Sequence, residues 1–544
     1  MQLLIAAAAF DAHAAKAADN ARAACSVAQQ QGVDLIVLPG CSWKKRDVAS
    51  LSRDAGELFV CACLGEESVI FREGEARLVQ ASLYGDRERG DDIALLDVQG
   101  VSVAILAGAD ARAPQSARLA ALRGAQLLLC PVERDENDAG PWAQAQQNDV
   151  FAAVAPSGGE ARVLSPLFAR CPDGVLARGR HGTMAIAMVS LVEWARRKLS
   201  GDILAQLNRP FAAAMPPQEL PVIPAAPMKV AAVQRTADPS GGRKRLVERM
   251  EAFCAQAKEQ GCSLIAFPEY NWLDGLGSCP MMRAVNARAN AAHPVESWVV
   301  DEESEDALAA FFPDAPTHEM PFLATAALRI MSGPMMGFIR RETVRLAKQY
   351  GLVVHGGTYH ERKKRRMYNT AIIAFPDGSI VRQRKLHPVR QERDMGISPG
   401  SDLAVFDVKG AGVCAPICMD ASYYEPFAAA RHVGCDVAVL PICNGELYLE
   451  SAAKRGAWAR AVENCMYIVK PALTGMMLGQ VYTGYAGIYG PNAEPLAQSA
   501  GPVGDELVVA ELDFEALRVA QTLMPVPNAA LEGKLRQALA QRER

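Results

Sequence analysis

Short apolar runs alternate with amphipathic stretches along the whole chain, and that alternation predicts strands feeding helices. The opening MQLLIAAAAF reads as a strand. Later, Leu246, Met250, Phe253, Cys254 and Ala257 fall on one helical face, and Gly261 follows where a C-terminal cap belongs. The next apolar run, LIAF, is closed by Pro268, which places Glu269 at the tip of a strand and outside the sheet. NTAIIAFPDGSIVRQRK and DLAVFDVKGAGVCAPI read as strands around turns, with PDG supplying the hairpin chemistry. A helix is expected from about Glu425 and Pro426 through FAAARHV, stopping at Gly434.

The pattern occurs twice. Between Arg209 and Pro227 stand Pro210, Pro216, Pro217, Pro221, Pro224 and Pro227, a stretch that holds neither a helix nor an inner strand and reads as a linker over 209–227. Beyond it MKVAAVQ restarts the opening pattern, and GCSLIAFPEYNW (261–272) echoes GVDLIVLPGCSW (32–43) without a gap. Residues 407–442 align ungapped with 97–132, pairing Asp420 with Asp110, Gly434 with Gly124 and Pro441 with Pro131. Trp458, Ala459, Ala461 and Asn464 repeat Trp142, Ala143, Ala145 and Asn148. Four matches in one order argue for a duplicated domain.

Composition narrows the partners more than the fold. A chain of 544 residues with 50% hydrophobic and 22% charged residues has an ordinary globular balance and length for two or three domains. With 57 basic and 61 acidic residues the net charge is -4, so no overall positive field draws nucleic acid or anionic lipid. Fourteen cysteines without a C-x2-C pair are too sparse for a disulfide scaffold, and a reducing cytoplasm is the expected compartment. The apolar opening lacks a basic leader and no later segment has the length of a membrane span.

Three residue types that need one another stand at predicted strand ends. Cys418 lies between the strand AGVCAPI and the helix that follows it, where the helix dipole is expected to favour thiolate. Glu269 ends another strand, and Lys385 ends SIVRQRK just before Leu386, His387 and Pro388. Converging on one rim, a carboxylate takes the thiol proton, the thiolate attacks carbon, and the ammonium meets the developing oxyanion.

The motifs FPEY with Glu269, YNTAIIAFPDG followed by RKLHP with Lys385, and ICMDASYYEP with Cys418 resemble the nitrilase or carbon–nitrogen hydrolase superfamily. ARAVEN, with Glu463 and Asn464, is similar to a later segment of that family. The resemblance covers residues 228 to about 520, and more weakly 1 to about 208. It implies an α/β fold of two α-β-β-α sandwich domains packed as an intramolecular pseudo-dimer. The expected division is a catalytically inactive copy over 1–208, the linker 209–227, and an active domain over 228–544 with an insertion at 273–340. The resemblance further implies Glu269 as general base and acid and Cys418 as nucleophile. Lys385 and the backbone N–H of Met419 would serve the oxyanion, Asn444 would contact the oxyanion or substrate, and Glu392 would be a second glutamate. The implied activity is hydrolysis of a non-peptide linear amide or carbamoyl bond through a thioester. Hydrolysis of a nitrile, or a scaffold without turnover, are the alternatives. No cofactor or metal is implied; the partner is a small-molecule amide or nitrile substrate, and a homo-oligomer is compatible.

In the first copy Gly40 falls on Glu269, Gly108 on Cys418 and Ser82 on Lys385, with Glu88 opposite Glu392, so the chemistry is expected to be lost there. The insertion is expected to roof the site. Its Met281, Met282, Met331, Met335 and Met336 read either as an apolar pocket lining or, more simply, as core, and its acidic run Asp301–Asp306 as a cation contact or a solvated helix start. ERKKRR (361–366) lacks interleaved aromatics and reads as a solvated hairpin. Neither Cys61 with Cys63 nor Cys414 with Cys418 has a second ligand pair at zinc spacing, and no phosphate or dinucleotide loop motif occurs.

Overall fold

The computed structural model describes residues 2–65, 67–84, 90, 92–133, 139–148, 150–165, 174–180, 182–190, 226–291, 322–444, 457–477, 479–491, 495–522 and 534. Contacts divide the chain into two units, Met1–Arg209 with Leu523–Arg544, and Pro210–Thr522. Residues 523–544, which the sequence pattern assigns to the second half, therefore group with the first unit, where Lys534 meets Asp92 at 3.1 Å. Most of the proline-rich stretch, and Glu88, lie outside the described residues.

In the first unit one six-stranded sheet runs in the order Met184–Ser190, Gln2–Ala8, Leu35–Val37, Phe59–Cys63, Glu67–Arg72, Glu75–Ala81. The other runs Leu96–Val98, Val101–Ile105, Leu127–Val132, Phe151–Pro156, Ala161–Leu164, Val175–Gly179. Strand period decides the layers. Leu3, Ile5 and Ala7 join Leu35, Val37, Ile105 and Leu129 in a core between the two sheets, whereas the alternate residues Ala6, Ala8, Ile36 and Leu38 meet Ala21, Cys25 and Ala28 of the helix Ala17–Gln30. Helix, sheet, sheet and helix thus stack in the expected α-β-β-α order, with Pro114–Arg123 and Ala139–Asn148 as helices of the second sheet's half.

The second unit has the same arrangement strand for strand. Glu506–Leu512, Met228–Thr236, Leu264–Ala266, Val353–Lys363, Arg366–Ala374 and Ile380–Arg384 follow one another in the first sheet, and a hairpin of Ala472–Met477 and Gln480–Tyr482 extends it beside Met228–Thr236. The second sheet runs Val405–Val408, Ala411–Cys414, Cys435–Val439, Tyr467–Lys470, Gly487–Tyr489, Pro495–Gln498. Every corresponding pair agrees in direction: the two central ladders of each sheet are parallel and the flanking ones antiparallel.

The helix Gly242–Glu259 buries Leu246, Met250, Phe253, Cys254 and Ala257, the face that periodicity selects, and Gly261 follows with a φ of 77°. The helix Glu425–His432 ends before Gly434. The basic run forms the tip of an antiparallel hairpin in which Lys363 pairs with Arg366, with exposed side chains. The described part of the insertion consists of the 3-10 segment Asn271–Ser278 and the helices Pro280–Asn290 and Phe322–Tyr350. Met282 and Met335 are buried in the helix-side core with Trp272, Leu276 and Ile339, Met331 and Met336 pack against it, and Met281 is exposed. The core reading of these methionines is the one that the packing matches. Asp301–Asp306 lie outside the described residues.

Candidate active site

Four sequence-selected residues meet at the ends of the second unit's strands. Glu269 follows Leu264–Ala266, Lys385 follows Ile380–Arg384, Glu392 lies on the short helix Arg390–Asp394, and Cys418 opens the 3-10 turn Cys418–Ser422 after Ala411–Cys414. The Lys385 ammonium lies between the two carboxylates, 2.8 Å from Glu269 Oε1 and 2.9 Å from Glu392 Oε2. All three side chains are buried. The Cys418 thiol lies in the electrostatic field of both Glu269 and Lys385.

The pocket contains a network that motif reading did not select. Asn369 Nδ2 donates to Glu269 Oε1 and to Glu392 Oε1, each at 2.8 Å, which uses both its amide protons. The hydroxyl of Tyr270 donates to Glu392 Oε1, and the backbone N–H of Val389 donates to Glu392 Oε2 at 2.8 Å. His360 packs against Tyr270 with ring centroids 5.1 Å apart, and burial lowers its pKa to about 4, so it is a neutral ring. Tyr270 adopts a φ of 55°, a left-handed conformation that a bulky residue keeps only where its surroundings hold it. Buried Arg235 provides that hold, with hydrogen bonds to Asn271 Oδ1 and O, both 2.9 Å, and an ion pair with Asp274.

Asp420 ties two of the segments together. Its carboxylate accepts from the backbone N–H groups of Leu386 (3.1 Å), His387 (2.7 Å) and Ile417 (2.8 Å), and it lies 3.0 Å from His387 Nδ1. The residues just after Lys385 are thereby bound to those flanking Cys418. The repeated Asp in the two halves was the available sequence signal for this anchor. Tyr270 and Asn369 carried none beyond standing next to Glu269 and inside YNTAIIAF.

The electrostatics correct one expectation. Burial first, and then the adjacent Glu269, push the Cys418 thiol well above its ordinary pKa, so the resting residue is a thiol and not the thiolate expected at a helix start. The turn that Cys418 opens is a five-residue 3-10 segment, and its thiol is governed by desolvation and the neighbouring carboxylate. Burial likewise raises Glu269 despite the neighbouring ammonium. For Glu392 burial is outweighed by Lys385 and by donors from Tyr270 and Asn369, and its pKa is lowered. The two carboxylates hold the Lys385 pKa well above its usual value against desolvation. Cys418 itself has a φ of 45°, and its N–H is bonded to Pro441 O at 3.0 Å. Met419 is next in the same turn, and Asn444 follows Cys443, its carbonyl accepting from Thr483 N–H at 3.3 Å.

The first unit repeats the hydrogen bonds of these anchors. Ser82, in the place of Lys385, donates to Asp110 Oδ1 at 3.2 Å, and Leu83 and Tyr84 donate their N–H groups to Asp110 as Leu386 and His387 do to Asp420. Gln80 bonds to Ala81 O, Asp92 O and Ala94 N; Gln383 bonds to Arg384 O, Asp402 O and Ala404 N. Gly108, where Cys418 would be, opens a 3-10 turn with a φ of 51°.

Residues 229–521 match the family model for carbon–nitrogen hydrolase, and the chain belongs to the carbon–nitrogen hydrolase family. It is similar to the probable hydrolase YhcX of Bacillus subtilis (strain 168), with 29% identity over 184 residues, 32% of this chain and 36% of that protein. It is similar also to omega-amidase NIT2 of Xenopus tropicalis, with 26% identity over 196 residues, 33% of this chain and 68% of the relative. The match thus spans about a third of YhcX's length. Among solved structures, an amidase from Nesterenkonia sp. shares 18% identity at a TM-score of 0.40, over 55% of this chain and 94% of that one. No helix among the described residues is long and apolar enough to cross a membrane.

Proposed function

We propose that the second unit hydrolyses a non-peptide carbon–nitrogen bond of a small linear amide or carbamoyl compound, with Cys418 as nucleophile. The observation that carries this reading is the buried Glu269–Lys385 pair, joined at 2.8 Å, whose two charges both act on the Cys418 thiol. A neutral thiol is a weak nucleophile, so attack requires that Glu269 take the proton as the sulfur–carbon bond forms. A raised Glu269 pKa suits that exchange, because burial makes the carboxylate a stronger base toward the thiol proton. The thioester is then cleaved by water, which Glu269 deprotonates in turn.

The oxyanion falls to the Lys385 ammonium and the N–H of Met419, since the N–H of Cys418 is already bonded to Pro441 O. Glu392 fixes Lys385 from the other side. The omega-amidase name of one set of relatives favours an amide over a nitrile as substrate. We read the first unit as a duplicated copy without chemistry, on the strength of its matching ladders and of Gly40, Ser82 and Gly108 at the three working positions.

The test incubates wild type and Cys418→Ala with a panel of linear amides, carbamoyl compounds and nitriles, following ammonia release and intact protein mass. Turnover and an acyl adduct that both depend on Cys418 are expected, with amides leading. Silence across the panel from a folded protein defeats the hydrolase reading.

A further inference from the structure

The two carboxylates that flank Lys385 are surrounded by donors in unequal number. Glu392 Oε1 accepts from Asn369 Nδ2 at 2.8 Å and from the Tyr270 hydroxyl, and Glu392 Oε2 accepts from Lys385 Nζ at 2.9 Å and from the Val389 N–H at 2.8 Å. These donors fill the roughly four lone-pair positions of a carboxylate, so a proton can settle on Glu392 only by expelling one of them. Glu269 Oε1 is filled in the same way, by Lys385 Nζ and Asn369 Nδ2, both at 2.8 Å, and Oε2 is the oxygen that remains.

Asn369 is common to both sets. It is buried on the strand Arg366–Ala374, opposite His360, and its main-chain O accepts from the Lys385 N–H at 2.9 Å. Both side-chain protons go to carboxylates, whereas its buried Oδ1 has no hydrogen-bond partner among the described residues. The reversed amide would set Oδ1 against two carboxylate oxygens, so the charge of the cluster fixes the orientation. An unpaired buried carbonyl costs stability, and the site carries that cost while keeping two charge-assisted hydrogen bonds.

We infer that Asn369 is a positioning residue of the proposed hydrolysis: by occupying one lone pair on each glutamate it leaves Glu269 Oε2, of the four carboxylate oxygens, as the one open to the thiol proton. The inference rests on the reading of Glu269 as the base and deepens it. The proton passes from the Cys418 sulfur to Oε2 as the sulfur–carbon bond forms, and from Oε2 to the departing nitrogen as the carbon–nitrogen bond breaks. A donor to a carboxylate favours its charged form, so Asn369 also lowers the pH at which Glu269 is protonated. Apart from Lys385 and Glu392, the titratable groups in the field of Glu269 are Cys418, Tyr270, Cys443 and Tyr482, which burial holds well above their ordinary pKa and so neutral. His360, with its pKa lowered by burial to about 4, adds no charge above that pH.

The test follows the protonated carboxyl stretch by infrared difference spectroscopy across a pH titration of the full chain. The band is assigned to Glu269 by its loss in Glu269→Gln and its persistence in Glu392→Gln. Asn369→Leu removes both N–H donors with a side chain of similar shape, and is expected to move the midpoint of that band upward by about one pH unit or more. The acidic limb of kcat/KM should move with it, since that limb reports the base of the free enzyme. Asn369→Ser, which keeps one donating proton, serves where the leucine variant does not fold, and a smaller upward move is expected. A midpoint that stays at its wild-type value in a folded variant, whatever happens to kcat, reduces Asn369 to packing and overturns the inference. So does a wild-type band that Glu392→Gln abolishes. Ammonia release is scored separately: turnover with an unmoved midpoint defeats this inference alone, and a midpoint that moves in a protein without turnover defeats the hydrolase reading alone.

Discussion

Gly40 lies against the backbone of Val132: its N–H donates to Val132 O at 3.1 Å, and a Cβ added at 40 would fall 2.3 Å from the Val132 carbonyl carbon. This is the position at which the second unit carries its glutamate. No side chain fits there while that backbone stays in place, which supports the proposal that the first unit carries no chemistry. Gly40→Ala is expected to destabilise the first unit by about 1–3 kcal/mol through overpacking, and to leave kcat/KM of the second unit unchanged. Urea denaturation alongside an amidase assay checks both; loss of turnover with an undisturbed fold contradicts the assignment.

Removing Lys385 strands two carboxylates. Lys385→Met leaves Glu269 and Glu392 buried without their shared cation, a loss of the kind that costs about 3–5 kcal/mol. In the proposed mechanism Lys385 is also an oxyanion donor, and loss of such a donor typically lowers kcat by about 100-fold or more. Steady-state kinetics on protein shown to be folded by circular dichroism separates the two effects. Retention of wild-type kcat would remove Lys385 from the mechanism.

Asp420 and Asp110 hold equivalent backbone donors, but only Asp420 stands between the segments that carry the proposed catalytic residues. Each Asp→Asn substitution turns an acceptor oxygen into a donor facing N–H groups and is expected to lower stability by about 1–3 kcal/mol. Asp420→Asn should also reduce kcat, because Lys385 and Cys418 lose their common anchor, whereas Asp110→Asn should not. Equal kcat losses in the two variants would show that the effect is general loosening.

Lys470 is buried at the end of Tyr467–Lys470, its ammonium 5.1 Å from the Tyr489 ring centroid, and its Nζ has no hydrogen-bond partner among the described residues. Burial lowers its pKa from 10.5 to about 7. Between those two values the unfolded chain binds the proton that the folded one has released, so stability rises with pH through this window from this group. Lys470→Met is expected to stabilise the unit by about 1–3 kcal/mol at pH 7, and its advantage should shrink as the pH rises. Urea melts from pH 6 upward measure it; an advantage that does not depend on pH would mean that the amine is not the cause.

What could be read before folding was whatever depends on neighbours in sequence. Alternation with a period of two placed the strands and divided Leu3, Ile5 and Ala7 from Ala6 and Ala8, and helical spacing selected the buried face of Gly242–Glu259. Pro268 and the PDG turn placed Glu269 and Lys385 at strand ends, because proline and turn chemistry act within a few residues.

Only the tertiary structure decided which side chains share a charge. Glu269 and Glu392 are far apart along the chain, yet both meet Lys385, and burial together with Glu269 raises the pKa of Cys418 against the thiolate expected from its local position. Asn369, Tyr270 and Asp420 likewise acquire their contacts from remote segments, through hydrogen bonds and desolvation that no local pattern encodes. Backbone preferences are short-ranged and written in the sequence, whereas the electrostatics of a buried site depends on what burial brings together.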